Sequence, residues 1–310
     1  MNPRPVLPTD LLPLATFDAR CRQSAAWPRE RVGASATTAL LGTVRDQALA
    51  VARRRSVWVS VRRQRLRGLL GARQRSRRQA WEVDYLVDQT SGGDALRALH
   101  DRALADLAER GVEKLFLRLT AESDLLDTAL AAGFVAYQQE VLFRGELTAA
   151  GSPPLVARRT SQTDAYPLFR LYCAATPETV RRHEAATFGE WQAAQERLWL
   201  KGGCDLVSER EGRIDARVRA ARLPQGIAVD VVAEGRALGD AMEMLAAAVS
   251  ERGGGRVSVL VPETEAALAA RLGASGLVAG ERYVCLCQRT TRPIALPSRA
   301  PAVAKPVLGA

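Results

Sequence analysis

Glu82 and Asp84 stand two residues apart in the alternating stretch Ala80 to Val87, where Trp81, Val83, Tyr85 and Val87 share one face of a strand and Glu82, Asp84 and Leu86 the other. Two carboxylates on one strand face can take a proton from an incoming ammonium. Directly afterwards the chain reads Gln89-Thr90-Ser91-Gly92-Gly93-Asp94 and changes period. Leu96, Leu99, Ala103, Leu104 and Leu107 then form the apolar stripe of a helix ending at Gly111. Glycines at a helix N-terminus leave backbone N–H groups open to an anion such as a pyrophosphate. Asp94 is placed as the N-cap, and its carboxylate competes for the same N–H groups. The ordinary alternative is a glycine turn before a packed helix, with Glu82 a polar strand residue.

The elements that position these residues occur twice. From Thr9 to about Ala50, apolar residues at helical spacing, broken near Trp27-Pro28 and Gly33, predict two helices. Val57, Val59 and Val61 alternate with Ser56, Trp58 and Ser60, and Leu66 to Ala72 follows, so Ala80 to Val87 is the third strand of a meander. After the helix come a strand from Lys114 to Leu119, a short helix from Ser123 to Ala132 closed by Gly133, and a strand from Val135 to Arg144. Beyond a linker at Gly151-Ser152-Pro153-Pro154 the order returns. Helices run from Thr163 to Ala174 and Pro177 to Leu200, and strands from Cys204 to Arg210, Ile214 to Arg222 and Ile227 to Ala233. A helix from about Ala237 to Gly253, strand Val257 to Val261, helix Glu263 to Leu272 and strand Val278 to Arg289 complete it. Val83-Asp84 answers to Val229-Asp230, Gly111 to Gly253 and Gly133-Phe134 to Gly276-Leu277, with a deletion of about four residues at the loop before the long helix.

Each copy resembles a GNAT-superfamily N-acetyltransferase domain. The resemblance implies an α/β (α+β) fold of two tandem domains side by side, each a mixed, mostly antiparallel sheet flanked by helices. Residues 1–150 would be the active half, 151–154 a linker, 155–291 a degenerate second copy and 292–310 a disordered tail rich in proline and alanine. In that family the fourth strand splays from the fifth, acetyl-CoA lies in the gap, and the strand runs into an Arg/Gln-x-x-Gly-x-Gly/Ala loop. The resemblance therefore assigns Leu86, Val87, Gln89, Gly92 and Gly93 to acetyl-CoA, and Glu82 and Asp84 to proton abstraction. Gln89 and Gly92 match the loop pattern, whereas Asp94 stands where Gly or Ala is expected. In the second copy Ala233 to Gly239 is shorter and is expected not to hold the cofactor. At the position of the family's proton-donating tyrosine stand Ala129 and Leu272, which leaves Tyr85 or Tyr137 to substitute from another strand.

A chain of 310 residues, 47% of them hydrophobic, can bury two ordinary cores. No run approaches the roughly 20 apolar residues that span a bilayer, so a cytoplasmic protein without membrane partners is expected. The net charge of +10 is almost entirely arginine, with Lys114, Lys201 and Lys305 the only lysines. Arginines crowd between Arg53 and Arg78 and read as a solvated hairpin edge, with attraction of CoA or of nucleic-acid phosphates as alternatives. Only Trp58 and Trp81 interleave with them, which disfavours a nucleic-acid stacking platform. Cys285 and Cys287 share one face of an apolar run and read as buried thiols; with Cys21, Cys173 and Cys204 scattered, neither a metal site nor a disulfide framework is expected. His100 and His183 read as ordinary helix residues.

The expected activity is N-acetyl transfer from acetyl-CoA to an amine of a small-molecule or peptide acceptor, in the first half, with room for an oligomer. Two rivals stand beside it: a catalytically inactive binding or scaffold protein on the same fold and, more remotely, an arginine-rich nucleic-acid binder.

Overall fold

Alternating β-branched and apolar residues set two series of strands. The computed structural model describes residues 2–7, 10, 24–33, 54–62, 65–90, 93–147, 157–201 and 203–290. Most of the stretch expected to hold two helices before Ala50, the linker 151–154, the tail 292–310, and Ser91 and Gly92 lie outside the described residues. The first series is β1 (Asn2–Pro5), β2 (Arg55–Arg62), β3 (Arg65–Gln74), β4 (Ala80–Asp88), β5 (Lys114–Thr120) and β6 (Val135–Leu147), with helices α1 (Asp94–Glu109) and α2 (Leu126–Ala131). The second is β7 (Ala157–Arg159), β8 (Cys204–Arg210), β9 (Arg213–Leu223), β10 (Gly226–Ala233), β11 (Gly255–Pro262) and β12 (Val278–Arg289). Its helices are α3 (Ala165–Ala175), α4 (Glu178–Glu184), α5 (Phe188–Ala194), α6 (Leu238–Glu251) and α7 (Ala266–Ala274).

The single helix expected from Pro177 to Leu200 is broken into α4, α5 and a 3-10 turn at Arg197–Lys201. Ala185 is extended, and Thr187 starts a new helix by accepting the Glu190 amide at 3.3 Å. The long helices of the two halves are built alike. Leu96, Leu99, Ala103 and Leu107 of α1 are buried, as are Leu238, Ala241, Leu245 and Val249 of α6. Gly111 and Gly253, both at positive φ, end them as C-terminal glycines do.

All the strands join one 12-stranded sheet in the order β1-β2-β3-β4-β5-β12-β6-β11-β10-β9-β8-β7. That order is a pseudo-twofold in which each half lends its closing strand to the other. β12 pairs antiparallel with β5 from Tyr283 opposite Thr120 to Arg289 opposite Lys114, and β6 pairs with β11 from Gly255 opposite Leu147 to Pro262 opposite Glu140. The two closing strands also pair with each other at the centre. Val284 and Leu286 of β12 therefore complete the first half's core with Leu115, Leu117 and Leu119, while Phe143 of β6 joins the second half's core with Val257 and Val259. Each such side chain contributes about 1.5–3 kcal/mol on full burial, so each half draws stability from a strand the other encodes. The expectation of domains lying side by side is thus sharpened to an exchange of strands.

Candidate active site

β4 pairs with β5 only from Ala80–Glu82 to Lys114–Phe116, and β10 with β11 only from Ile227–Val229 to Val257–Val259. Beyond these short parallel ladders the strands splay in both halves. The backbone edges thereby released need other partners.

In the first half the partner is the chain itself. Ala25 N–H donates to the Leu86 carbonyl at 2.8 Å, the Leu86 N–H donates to Ser24 Oγ at 3.0 Å, and Trp27 N–H donates to the Arg118 carbonyl at 2.9 Å. Ser24 to Trp27 thus bridges β4 and β5, with Ala26 buried among the core residues. Leu86 and Val87 are buried, and Gln89 donates its amide to the Arg67 carbonyl at 2.8 Å.

The helix N-terminus beyond them is likewise satisfied internally. Asp88 accepts the Leu96 amide at 2.7 Å, and Thr90 Oγ1 accepts the Ala95 amide at 3.1 Å. Gly93, at φ +73°, is the N-cap, and Asp94 is an exposed first helical residue rather than the expected cap. A Cβ on Gly93 would lie 2.4 Å from Thr128 Oγ1. The Ala95 and Leu96 amides at this helix end are thus already taken by side-chain oxygens of the same chain.

Glu82 and Asp84 come together, but around arginine. Glu82 pairs with Arg73 at 2.5 Å and Arg75 at 3.3 Å; Asp84 pairs with Arg55 at 3.2 Å and Arg73 at 3.8 Å. Both carboxylates are buried. A bulge at Asp84, where Gly71 faces Tyr85 and Ala72 faces Val83, also breaks the expected alternation. Trp81, Val83 and Leu86 enter one core cluster, and Tyr85 and Val87 another. The arginine-rich hairpin is correspondingly not one solvated edge: Arg75 is buried, and Arg73 also binds Glu30 at 2.6 Å. Tyr85 is buried with the Arg31 guanidinium 5.7 Å from its ring centre.

The second gap is different. The lips of the splay, Asp230 to Val232 on β10 with Leu260 and Pro262 on β11, open onto a cavity of about 150 Å³. Three ion-paired carboxylates line it. Glu196 binds Arg29 and, at 2.9 Å, Arg118; Glu140 binds Arg118 at 2.9 Å; Asp230 binds Arg219 at 2.5 Å. Burial works against ionising Glu196 and Asp230, but the arginines outweigh it: Arg29, Arg118 and Arg75 hold Glu196 well below the usual carboxylate range, and Arg219 and Arg29 lower Asp230. Because Arg29 and Arg118 belong to the first half, the network ties one half to the other.

Glu184, at the end of α4, lines the same cavity without such a partner. Among the described residues no cation lies within 4.0 Å of its carboxylate, which accepts the Tyr172 hydroxyl at 3.0 Å. Burial pushes the Glu184 carboxyl up, only partly offset by Arg75. Burial also raises the Tyr137 and Tyr172 hydroxyls, so both remain protonated donors beside it. Nothing in the sequence marks Glu184, which sat within an expected helix; Tyr137 was singled out, and strand exchange carries it into the second half's cavity.

Next to this cavity a 3-10 turn at Gly235–Ala237 leads into α6; the Ala237 amide donates to the Glu234 carbonyl at 2.8 Å and the Leu238 amide to that of Gly235, and neither start carries a side-chain cap. A Cβ placed on Gly235 or on Gly239 would meet nothing within 4 Å. Arg210, Arg213 and Arg236 are each about half exposed around this end and pair with Asp240, Glu234 and, from Arg210 at 3.9 Å, the buried Asp215. The two open glycines, the Gly235 and Arg236 amides at the start of the turn and the arginines around it have the room for a phosphate-bearing ligand. The buried pairs Ala95-Leu96 and Ala237-Leu238 set Gly235 in register with Gly93 and Gly239 with Arg97. In that register Val231, Glu234 and Arg236 stand where Gln89, Gly92 and Asp94 do, so the second loop does not repeat the glycine pattern and its two glycines fall at other positions.

Among the described residues no cluster of His, Cys, Asp and Glu is placed to hold a metal, and no helix is long and apolar enough to cross a membrane. Cys285 and Cys287 are buried free thiols, as their pattern implies. His100 is buried against Gln288.

No protein-family profile matches the sequence, and no curated protein matches it. Solved structures do share the architecture. A GCN5-related N-acetyltransferase from Sphaerobacter thermophilus has a TM-score of 0.57 at 16% identity, over 94% of this chain and 96% of its own. A tandem GNAT protein from the clavulanic acid biosynthesis pathway, solved without AcCoA, has a TM-score of 0.51 at 15% identity, over 94% and 98%. The glucosamine N-acetyltransferase region of a fungal multi-domain β-N-acetylglucosaminidase gives 0.53 at 12% identity, over 93% of this chain and 38% of that one. With its repeated element order and its two splayed strand pairs, the chain has the tandem GNAT acetyltransferase fold.

Proposed function

We propose that the protein is an acyl-CoA-dependent N-acyltransferase, with acetyl-CoA as donor, whose site is the cleft of the second half. The observation that carries this reading is the contrast between the two splays. The first is bridged by Ser24 to Trp27 and side chains of Asp88 and Thr90 take up amides at its helix end, while the second opens onto the Glu184 cavity beside a turn and helix start that carry no side-chain cap.

In this reading the Gly235 and Arg236 amides of the turn before α6, with the open faces of Gly235 and Gly239, hold the phosphates, and Arg210, Arg213 and Arg236 stand around them. Acetyl-CoA supplies an activated thioester. Glu184 takes the proton from the acceptor ammonium, a task that a raised carboxyl pKa suits. Tyr137 or Tyr172 donates a proton as the thiol leaves. The first half supplies the wall bearing Arg29, Arg118, Tyr137 and Glu140.

Thiol release from acetyl-CoA in the presence of amines tests the assignment. Glu184→Gln slows it by about 10²–10⁴, whereas Glu82→Gln, which loosens only an internal ion pair, leaves more of the rate. Thiol release that depends on Glu82 and not on Glu184 would return the chemistry to the first half. Absence of any acetyl-CoA binding would favour a non-catalytic scaffold.

A further inference from the structure

The charges around the second cavity do not cancel uniformly. Arg29, Arg118, Arg217 and Arg219 each already have a carboxylate: Glu196, Glu140, Asp205 and Asp230 respectively. Among the described residues no lining cation is left over for a carboxylate or phosphate brought in by a ligand. Glu184, in contrast, has only the Tyr172 hydroxyl among the described residues. Facing it are Arg75 from β3, Glu140 from β6, Glu196 from the segment after α5 and Tyr172 from α3, while Lys114 from β5 binds its backbone carbonyl at 3.0 Å.

The wall beside Glu184 is aromatic. Tyr172 and Trp191 line the cavity with ring centres 6.5 Å apart, backed by Phe169 and Phe188 at 6.0 and 6.1 Å from Trp191. The row continues outward through Phe169 to Tyr166, which is 59% exposed. Ring faces attract organic cations, most strongly where water is excluded. Leu168 and Leu171 complete an apolar floor. A cavity of about 150 Å³ takes a body of roughly benzene's bulk.

We infer that this cavity is an acceptor subsite for a compact apolar organic cation, a primary amine on a body of about one ring, and that it discriminates against amines that also carry a carboxylate or phosphate. The inference rests on the acyl-transfer reading for the fate of the amine, but the cation site is independent of it. The ammonium is held by the Glu184 carboxylate and faces Tyr172 and Trp191, so the complex gains a buried ion pair.

Calorimetric titration of the CoA-free full chain with benzylamine, benzyl alcohol and phenylglycine, each in phosphate and in Tris, tests this. Benzylamine binds tightest, with the uncharged alcohol and the carboxylated amine weaker by about tenfold or more, the scale of one charge-assisted contact. Glu184→Gln abolishes that preference in both buffers. Phenylglycine binding as tightly as benzylamine would overturn the inference even if Glu184→Gln failed to fold, as would a benzylamine affinity unchanged in a folded Glu184→Gln. Benzylamine binding without thiol release from acetyl-CoA would remove the acyl-transfer reading and leave the cation site standing. Thiol release with phenylglycine in preference to benzylamine would do the reverse.

Discussion

Trp27 N–H donates to the carbonyl of Arg118 at 2.9 Å, closing the gap between β4 and β5 with a segment of the same chain. The equivalent gap between β10 and β11 opens instead onto the cavity holding Glu184. The asymmetry of a repeated fold thus lies in what fills each splay.

Glu184 gives a paired expectation for activity and stability. Its folded pKa is raised by burial, so its protonated form is the one the fold favours. Its stabilising contribution is present below the ordinary carboxylate value of about 4.3 and is lost as pH rises through the folded value. Glu184→Gln is neutral throughout and still accepts from Tyr172. Thermal melting should therefore show the variant more stable than wild type at pH 8, with the advantage gone at pH 4, while thiol release collapses. A variant less stable at pH 8 would contradict the burial argument.

Glu196 behaves oppositely. Its folded pKa is depressed by Arg29, Arg118 and Arg75 against the pull of burial, so its contribution is complete above the ordinary carboxylate value and is lost as pH falls through the folded one. Glu196→Ala leaves Arg29 and Arg118 short of a counter-charge and costs about 3–5 kcal/mol in urea unfolding at pH 7. The difference from wild type shrinks below about pH 4. A cost under about 1 kcal/mol would mean that the network is solvated.

Strand exchange makes the halves interdependent. Residues 1–150 and 151–310 expressed separately lack the paired strand each core needs, and co-expression restores a complex visible by size-exclusion chromatography. Two well-folded monomers, each taking back its own closing strand, would show the exchange to be dispensable.

The two glycine loops should respond differently to one methyl group. Gly93→Ala strains a left-handed residue and meets Thr128, a loss of about 1–3 kcal/mol. Gly235→Ala meets nothing within 4 Å and changes stability by less than about 0.5 kcal/mol. Equal losses would mean that the second loop is as tightly packed as the first.

Much of the fold was legible because strand and helix periods repeat. Val278–Arg289 and Cys204–Arg210 match the expected strands end to end. The exchange was not legible, since β6 and β12 carry the same apolar pattern whichever half they join. The expected site residues rest on local spacing and on the family resemblance it carries, neither of which reveals that Arg73 and Arg75 neutralise Glu82, or that Ser24 to Trp27 bridges the gap. Glu184 became visible only through what does not pair with it.

The most direct measurement is calorimetric titration of acetyl-CoA into wild type, Gly239→Glu and Gly92→Glu. One site per chain in the wild type, lost in Gly239→Glu and kept in Gly92→Glu, is the predicted result. Loss in Gly92→Glu with retention in Gly239→Glu, or no binding to the wild type, would contradict a cofactor cleft in the second half.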